Sequence, residues 1–346
     1  TNLDKASVEG FLKSKNITKK NIYIKNTKKG EFYFYKTPSI NIKTKEVLKE
    51  NIPLLLQKIK WKKSMRWAYH NLFWGRPLKS MMCLFDGSHL KYNFFHLKSS
   101  NKTFINKNDE SKTVTFKNFA SYKNYFSKFG IIVDDNERKL IIKKNIDKIS
   151  KLKNFSSNIN LKLLDEVANI VEKPKVILCT FDKKFLQIPN EIVKLTIEYH
   201  QKYFPVTDNR GNLLNYFFSV ADKEDKFGFI KKGNEKVVAA RLSDAEYFWK
   251  KNKSQSMLKR VSKLEKVNYF NGLGNYLDKT KRIKNLSSII SDELLISKEK
   301  VELASTICKV DLMSDLVKEF PEMQGVLGGY FAESQGFEKE VCLAIS

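Results

Sequence analysis

The chain has 346 residues, about two domains' worth, and its 42% apolar and 29% charged residues suit a globular protein that buries a core without staples. Its 64 basic against 38 acidic residues leave a formal charge of +26, which favours a polyanionic partner, nucleic acid ahead of a membrane surface. No apolar run approaches the roughly 18 residues of a spanning helix, and four scattered cysteines among apolar neighbours (Cys83, Cys179, Cys308, Cys342) read as reduced core thiols.

In chain order, residues 4–14 form a helix with Val8, Phe11 and Leu12 on one face. Strands at 21–25 and 31–35 flank a Lys-Lys-Gly turn at 28–30. Residues 43–59 carry apolar residues at helical spacing, with Pro53 expected to kink that helix or start a second. A hairpin turns on Asp86-Gly87 between 82–85 and 90–95, and the polar stretch 98–113 reads as loop. A helix over 117–129 ends at Gly130, and Asp134 with Glu137 opens another through Ile149. The short β-branched run 176–181 is a buried strand, Pro189 starts a helix reaching His200, and 203–207 pairs with 214–220 across Asp208–Gly211. Beyond 232 the pattern turns helical, over 234–252, 256–267, 275–293 and 298–319. The expected fold class is therefore α+β: a mixed domain over 1–230 and the start of an all-helical one over 231–346. Thr1 in place of an initiator Met, and an apolar-periodic end at Ala344-Ile345-Ser346, suggest a piece cut from a longer protein.

There is no Gly-rich phosphate loop followed by Lys-Ser/Thr, no dinucleotide fingerprint and no nucleophile elbow. Gly272-Leu273-Gly274 fits a turn better than a phosphate cradle. His200 lacks a visible partner for general-base work, and Cys308, near Asp311, lies on an apolar stripe with Leu303, Ala304 and Ile307. With four histidines, none beyond residue 200 and no His-Asp pair, no catalytic divalent ion is expected in the helical part. Two basic–aromatic clusters suit phosphates and unpaired bases: 60–67 with Arg76-Pro77, and Gln201-Lys202-Tyr203-Phe204. The competing reading is aromatic core with a solvated lysine rim. With 57 of the 64 basic residues Lys and 7 Arg, the charge is also open to a compositional explanation.

Several ordered strings coincide with one family: Glu172-Lys173-Pro174, Phe185–Pro189, His200–Val206, Gly233–Val237, Ala240–Phe248, Lys279–Ile283, Lys309–Leu312 and Glu319–Ala332, with Met65-Arg66-Trp67 and Phe73–Pro77 earlier. From about residue 57 onward the chain resembles the beta subunit of the bacterial heterotetrameric glycyl-tRNA synthetase. It departs from that pattern at Ser99–Phe104, which lacks a Gly-His-Arg-Phe segment, and at Gly329, where the family often carries Arg.

The resemblance implies an editing-module-like first domain and a truncated HD-like helical domain. It implies a tRNA-binding, non-catalytic chain working in the cytoplasm, outside any membrane, with an alpha subunit and tRNA(Gly). This chain is expected to bind no cofactor; ATP and Mg belong to the alpha subunit, which would hold the aminoacylation site. Candidate tRNA contacts are Lys62, Lys63, Arg66, Arg76, Lys202, Arg241, Lys281 and Arg282, with a carboxylate such as Asp244 or Glu246 an equally good structural partner for the arginines. The alternatives are a stand-alone hydrolase acting on RNA or nucleotides, and a generic RNA-binding adaptor.

Overall fold

Residues 5–28, 30–37, 42–104, 113–156 and 159–346 are described by the computed structural model, which separates Thr1–Tyr122 from Lys123–Ser346. The first unit is built from short pairings. Helix α1 (Lys5–Lys15) keeps Val8, Phe11 and Leu12 half-buried. Strands β1 (Ile22–Thr27) and β2 (Gly30–Tyr35) pair antiparallel from Ile22↔Tyr35 to Thr27↔Gly30, as their alternation predicts; Lys29 of the turn and Asp4 of the expected first helix lie outside the described residues. Helix α2 (Thr44–Gln57) keeps Pro53 inside one element rather than dividing there. None of its residues is buried, so the carbonyl that proline leaves unpaired is open to water.

Strands β3 (Met65–Arg66) and β4 (Phe73–Trp74) pair next, and β5 (Met81–Met82) runs parallel to β9 (Leu97–Ser100). The turn at Asp86-Gly87, both with positive φ, joins only β6 (Leu84–Phe85) and β7 (Ser88–His89). The expected long return strand over 90–95 is not formed. Instead β8 (Asn93–Phe94) pairs with β9 across a second turn, where Phe95 takes φ +52°. The expected loop at 98–113 is likewise corrected. Its ends belong to β9, β10 (Lys102–Phe104) and β11 (Thr113–Thr115), the last two pairing antiparallel, while 105–112 lie outside the described residues. Helix α3 (Phe119–Ser127) stops short of Gly130, which takes φ +73°.

The second unit is organised by one sheet in the order β12 (Lys175–Thr180), β14 (Leu213–Ala221), β13 (Phe204–Thr207), all antiparallel. Side chains alternate across it. Val176, Leu178, Leu214, Tyr216, Phe218 and Val220 face a core made with α4 (Asp135–Lys153) and α5 (Leu161–Ile170). Ile177, Cys179, Leu213 and Phe217 face the other core. That second core takes in α6 (Asn190–Leu195), continued by a π turn at Thr196–His200, and α7 (Phe229–Lys253) through Val238, Leu242 and Ala245. The boundary expected near 230 falls inside this unit, where strand and helix residues share that core.

Beyond α7 the chain is helical apart from one hairpin, β15 (Asn268–Phe270) with β16 (Gly274–Asn275), which corrects the all-helical expectation. Gly272 and Gly274 sit at φ +81° and +79° and make its turn. Helix α8 (Tyr276–Glu293) follows. The single helix expected over 298–319 is three: α9 (Lys298–Ile307), a 3-10 turn at Val310–Met313, and α10 (Asp315–Glu319), which Ser314 caps by accepting from the Val317 N–H. Helices α11 (Val326–Ser334) and α12 (Lys339–Ile345) complete the unit.

Capping and arginine chemistry fix the remaining geometry. Asp134 accepts from the Asn136 and Glu137 N–H groups and starts α4, and Asn160 does the same for α5, a helix the sequence reading passed over. Arg138 donates to the carbonyls of Ile132, Val133 and Ala168 at 2.6–2.8 Å, fastening α4 to the end of α5. Asp311, 1% exposed, accepts from the Gly325 N–H at 2.6 Å, while Oδ1 has no hydrogen-bond partner among the described residues. A methyl at Gly328 would sit 2.7 Å from Ile345 Cγ2 and 3.3 Å from Asp311 Oδ2.

Two outcomes follow. Gly328→Ala overpacks the α11–α12 crossing and should lower stability by about 1–3 kcal/mol, read as a lower urea midpoint at unchanged m-value. Burial raises the Asp311 pKa above 3.8, so its contribution is fully present below 3.8 and is lost as pH rises through the folded value. The stability of the natural chain relative to Asp311→Asn should therefore fall as pH rises from 3.8 towards neutrality; a pH-independent difference contradicts this.

Candidate nucleic-acid interface

In the first unit, Trp61 lies against the β4 end. A methyl at Gly75 would come 2.7 Å from the Trp61 ring, so only glycine lets the indole lie on this backbone. Trp61 tilts against Trp74 at 4.9 Å, and Trp74 meets the fully buried Phe94 edge-on at 5.7 Å. Lys62 and Lys63 follow Trp61 in the chain and Arg76 follows Gly75, so the Trp61–Gly75 contact brings their two segments together. Arg66 stands opposite Phe73 in the β3–β4 pair. All four cations are exposed and, among the described residues, none has an ion-pair partner. The two sequence readings of this cluster thus combine: Trp74 anchors to the core, while Trp61 and Trp67 stay 41% and 48% exposed among unpaired cations.

The second unit holds the other four candidates. Lys202 lies just beyond Gln201, which caps the π turn, takes φ +58°, pairs with Glu166 of α5 at 3.0 Å and lies 5.0 Å over the Tyr199 ring, contacts that give it a structural job. Arg241 pairs with Glu319 of α10 at 3.6 Å; Asp244 does not take it, and Glu246 is taken by Lys250. Lys281 and Arg282 stand exposed on α8 without an ion pair among the described residues. Two further arginines are spent on structure: Arg138 on three carbonyls, and Arg260 buried against the Gln255 side chain.

The nucleophile and acid–base candidates are quiet. Burial holds the Cys179 thiol near 11 and pushes Cys308 up, so neither is a thiolate at neutral pH. The His200 ring packs edge-on against Phe320 at 5.0 Å, and its buried Nε2 has no hydrogen-bond partner among the described residues. Asp311 lies beyond the end of α9 and serves the Gly325 backbone. Among the described residues no three His, Cys, Asp or Glu side chains are placed to hold a metal ion. No helix among them is long and apolar enough to cross a membrane.

The sequence reading missed the β15–β16 hairpin, which presents Phe270, 66% exposed, beside the cationic start of α8. Its only early signal was the Gly272-Leu273-Gly274 turn.

Comparison with known proteins gives the family. Residues 2–346 match the family described as glycyl-tRNA synthetase beta subunit. The chain is 34% identical to a glycine–tRNA ligase beta subunit of Rickettsia canadensis over 345 residues, 99% of this chain and 51% of that protein. It is 34% identical to one from Rickettsia felis over 343 residues, 98% and 51%. With one from Rickettsia bellii the identity is 33% over 346 residues, 100% and 52%. The chain thus spans about half the length of the curated relatives it matches.

The ion-pair geometry sorts the candidates. Arg66→Glu with Arg76→Glu removes no ion pair and should leave the melting temperature unchanged while weakening tRNA binding. Arg241→Glu breaks the Glu319 pair and should cost at most about 1 kcal/mol, with little effect on tRNA affinity. Filter binding beside thermal melts reads both.

Proposed function

The chain belongs to the glycyl-tRNA synthetase beta subunit family, and on that premise we propose that it is a tRNA-binding, non-catalytic part of glycine–tRNA ligase. It works in the cytoplasm with an alpha subunit that activates glycine with ATP and Mg and forms the ester on tRNA(Gly). The observation that carries this reading is the cluster of Lys62, Lys63, Arg66 and Arg76 around the Trp61–Trp74 ladder, held in place by packing with its charge unneutralised. Cations that spend no energy on internal carboxylates are free to replace counterions on phosphate, and half-exposed indoles beside them suit unpaired bases.

Within this proposal residues 1–230 correspond to an editing-module-like region and 231–346 to the start of an HD-like one. A stand-alone hydrolase would need an activated nucleophile or a poised acid–base pair. The raised thiols, the partnerless His200 and the backbone-bound Asp311 favour no such chemistry.

The test is reconstitution with full-length alpha and beta subunits, each omitted in turn. Glycine charging of tRNA should require both, and this chain alone should give no glycine-dependent pyrophosphate exchange. Exchange catalysed by this chain without alpha would overturn the proposal.

A further inference from the structure

The geometry points to the β15–β16 hairpin and the first turns of α8 as a site for an unpaired RNA nucleotide, with Phe270 the stacking platform. This rests on the tRNA-binding reading and adds a place and a mode of contact to it.

The first observation is charge. Residues 258–284 hold eight basic and two acidic residues, four to one, where the whole chain stands at 64 to 38. The two acids are accounted for. Asp278 accepts from the Asn275 N–H at 3.1 Å, and Asn275 returns the bond to the Asp278 N–H at 3.0 Å, so the carboxylate caps α8; Glu265 is exposed in the segment before the hairpin. On the basic side, Arg260 is buried and Lys284 pairs with Glu302 at 3.1 Å. Lys279 has no carboxylate at all among the described residues. Its Nζ lies 3.9 Å from the Tyr269 ring centre and 5.7 Å from that of Tyr276, which fixes the cation without cancelling it. Lys281 and Arg282 follow, exposed and unpaired among the described residues.

The second observation is shape. The hairpin borders an open surface concavity of about 680 Å³. It is lined by residues 268–272, 274 and 275, among them Asn268, Asn271 and Phe270. No carboxylate lines it. Amides both donate and accept, as base edges do. Phe270, 66% exposed, offers a face that any base can stack on once it is out of a duplex. Ring, amides and flanking cations are the three contacts a single nucleotide offers: base face, base edge and phosphate.

The test uses the full-length beta subunit, a tRNA(Gly) transcript, a short single-stranded RNA and the same RNA as a duplex. Phe270→Ala should weaken binding of the transcript and the single strand about 5- to 100-fold with an unchanged salt slope, because stacking is uncharged. Lys281→Glu with Arg282→Glu should weaken both and flatten the slope. Phe270→Trp should bind like the natural protein and show emission quenched by the single strand and not by the duplex. If the natural protein binds tRNA while Phe270→Ala and the double reversal, both folded by thermal melt, leave affinity unchanged, the site is overturned and the tRNA-binding reading stands. Failure of the natural protein to bind tRNA overturns both. Phe270-dependent binding to phosphatidylserine vesicles in place of RNA would also overturn the site.

Discussion

The second unit depends on the alternation of side chains along β14. Phe217 and Phe218 are neighbours in sequence, both essentially fully buried, and belong to different cores. A one-residue slip of this strand would exchange every core residue on it and place Ser219, which bonds Asn234 and Cys179, in the apolar α4–α5 core. The register is held from both sides, by β12 over six consecutive pairs and by β13. Everything C-terminal is then positioned by what packs on one face of β14. Helix α7 packs on β12 of the same sheet, α10 and α11 pack on α7, and α8 packs on α9 and on the 3-10 segment at Leu258–Lys266.

A sheet buried on both faces needs polar groups that close on themselves. Asn215 donates to Thr180 Oγ1 and to the Phe181 carbonyl, and Glu235 of α7 accepts from the Thr180 N–H. Asn215, Thr180 and Glu235 thus bind backbone and one another, as structural networks do. Cationic side chains with no ion pair among the described residues include those near Trp61 and Gly75 in the first unit and those at the start of α8 in the second.

Much of the second unit was legible because its signals are local and strong. The Asp134 cap, the β-branched run of β12, Pro189 ahead of α6 and the Asp208–Gly211 turn each act through neighbours in sequence. The first unit was harder to read. Its strands are two to six residues long, and Phe95 and the β9–β10 segment turn on tertiary pairing, which propensity does not encode. Among the site residues, the Trp61–Arg76 cluster could be found from composition. The structural duties of Lys202 and Arg241 could not, since Glu166 and Glu319 lie far away in sequence. The hairpin at 268–275 was hidden because three- and two-residue strands between helices leave only a pair of glycines as a mark.

The central claim is that this chain's basic surface meets tRNA directly, and the salt dependence of tRNA(Gly) affinity for the full-length beta subunit tests it most directly. Each neutralised phosphate contributes roughly −0.7 to −0.9 to the slope of log affinity against log salt. Several contacts across the two units predict a slope of about −3 or steeper, made shallower when the Arg66, Arg76, Lys281 and Arg282 charges are reversed together. A slope near zero, or one that those four reversals leave untouched, would contradict the account.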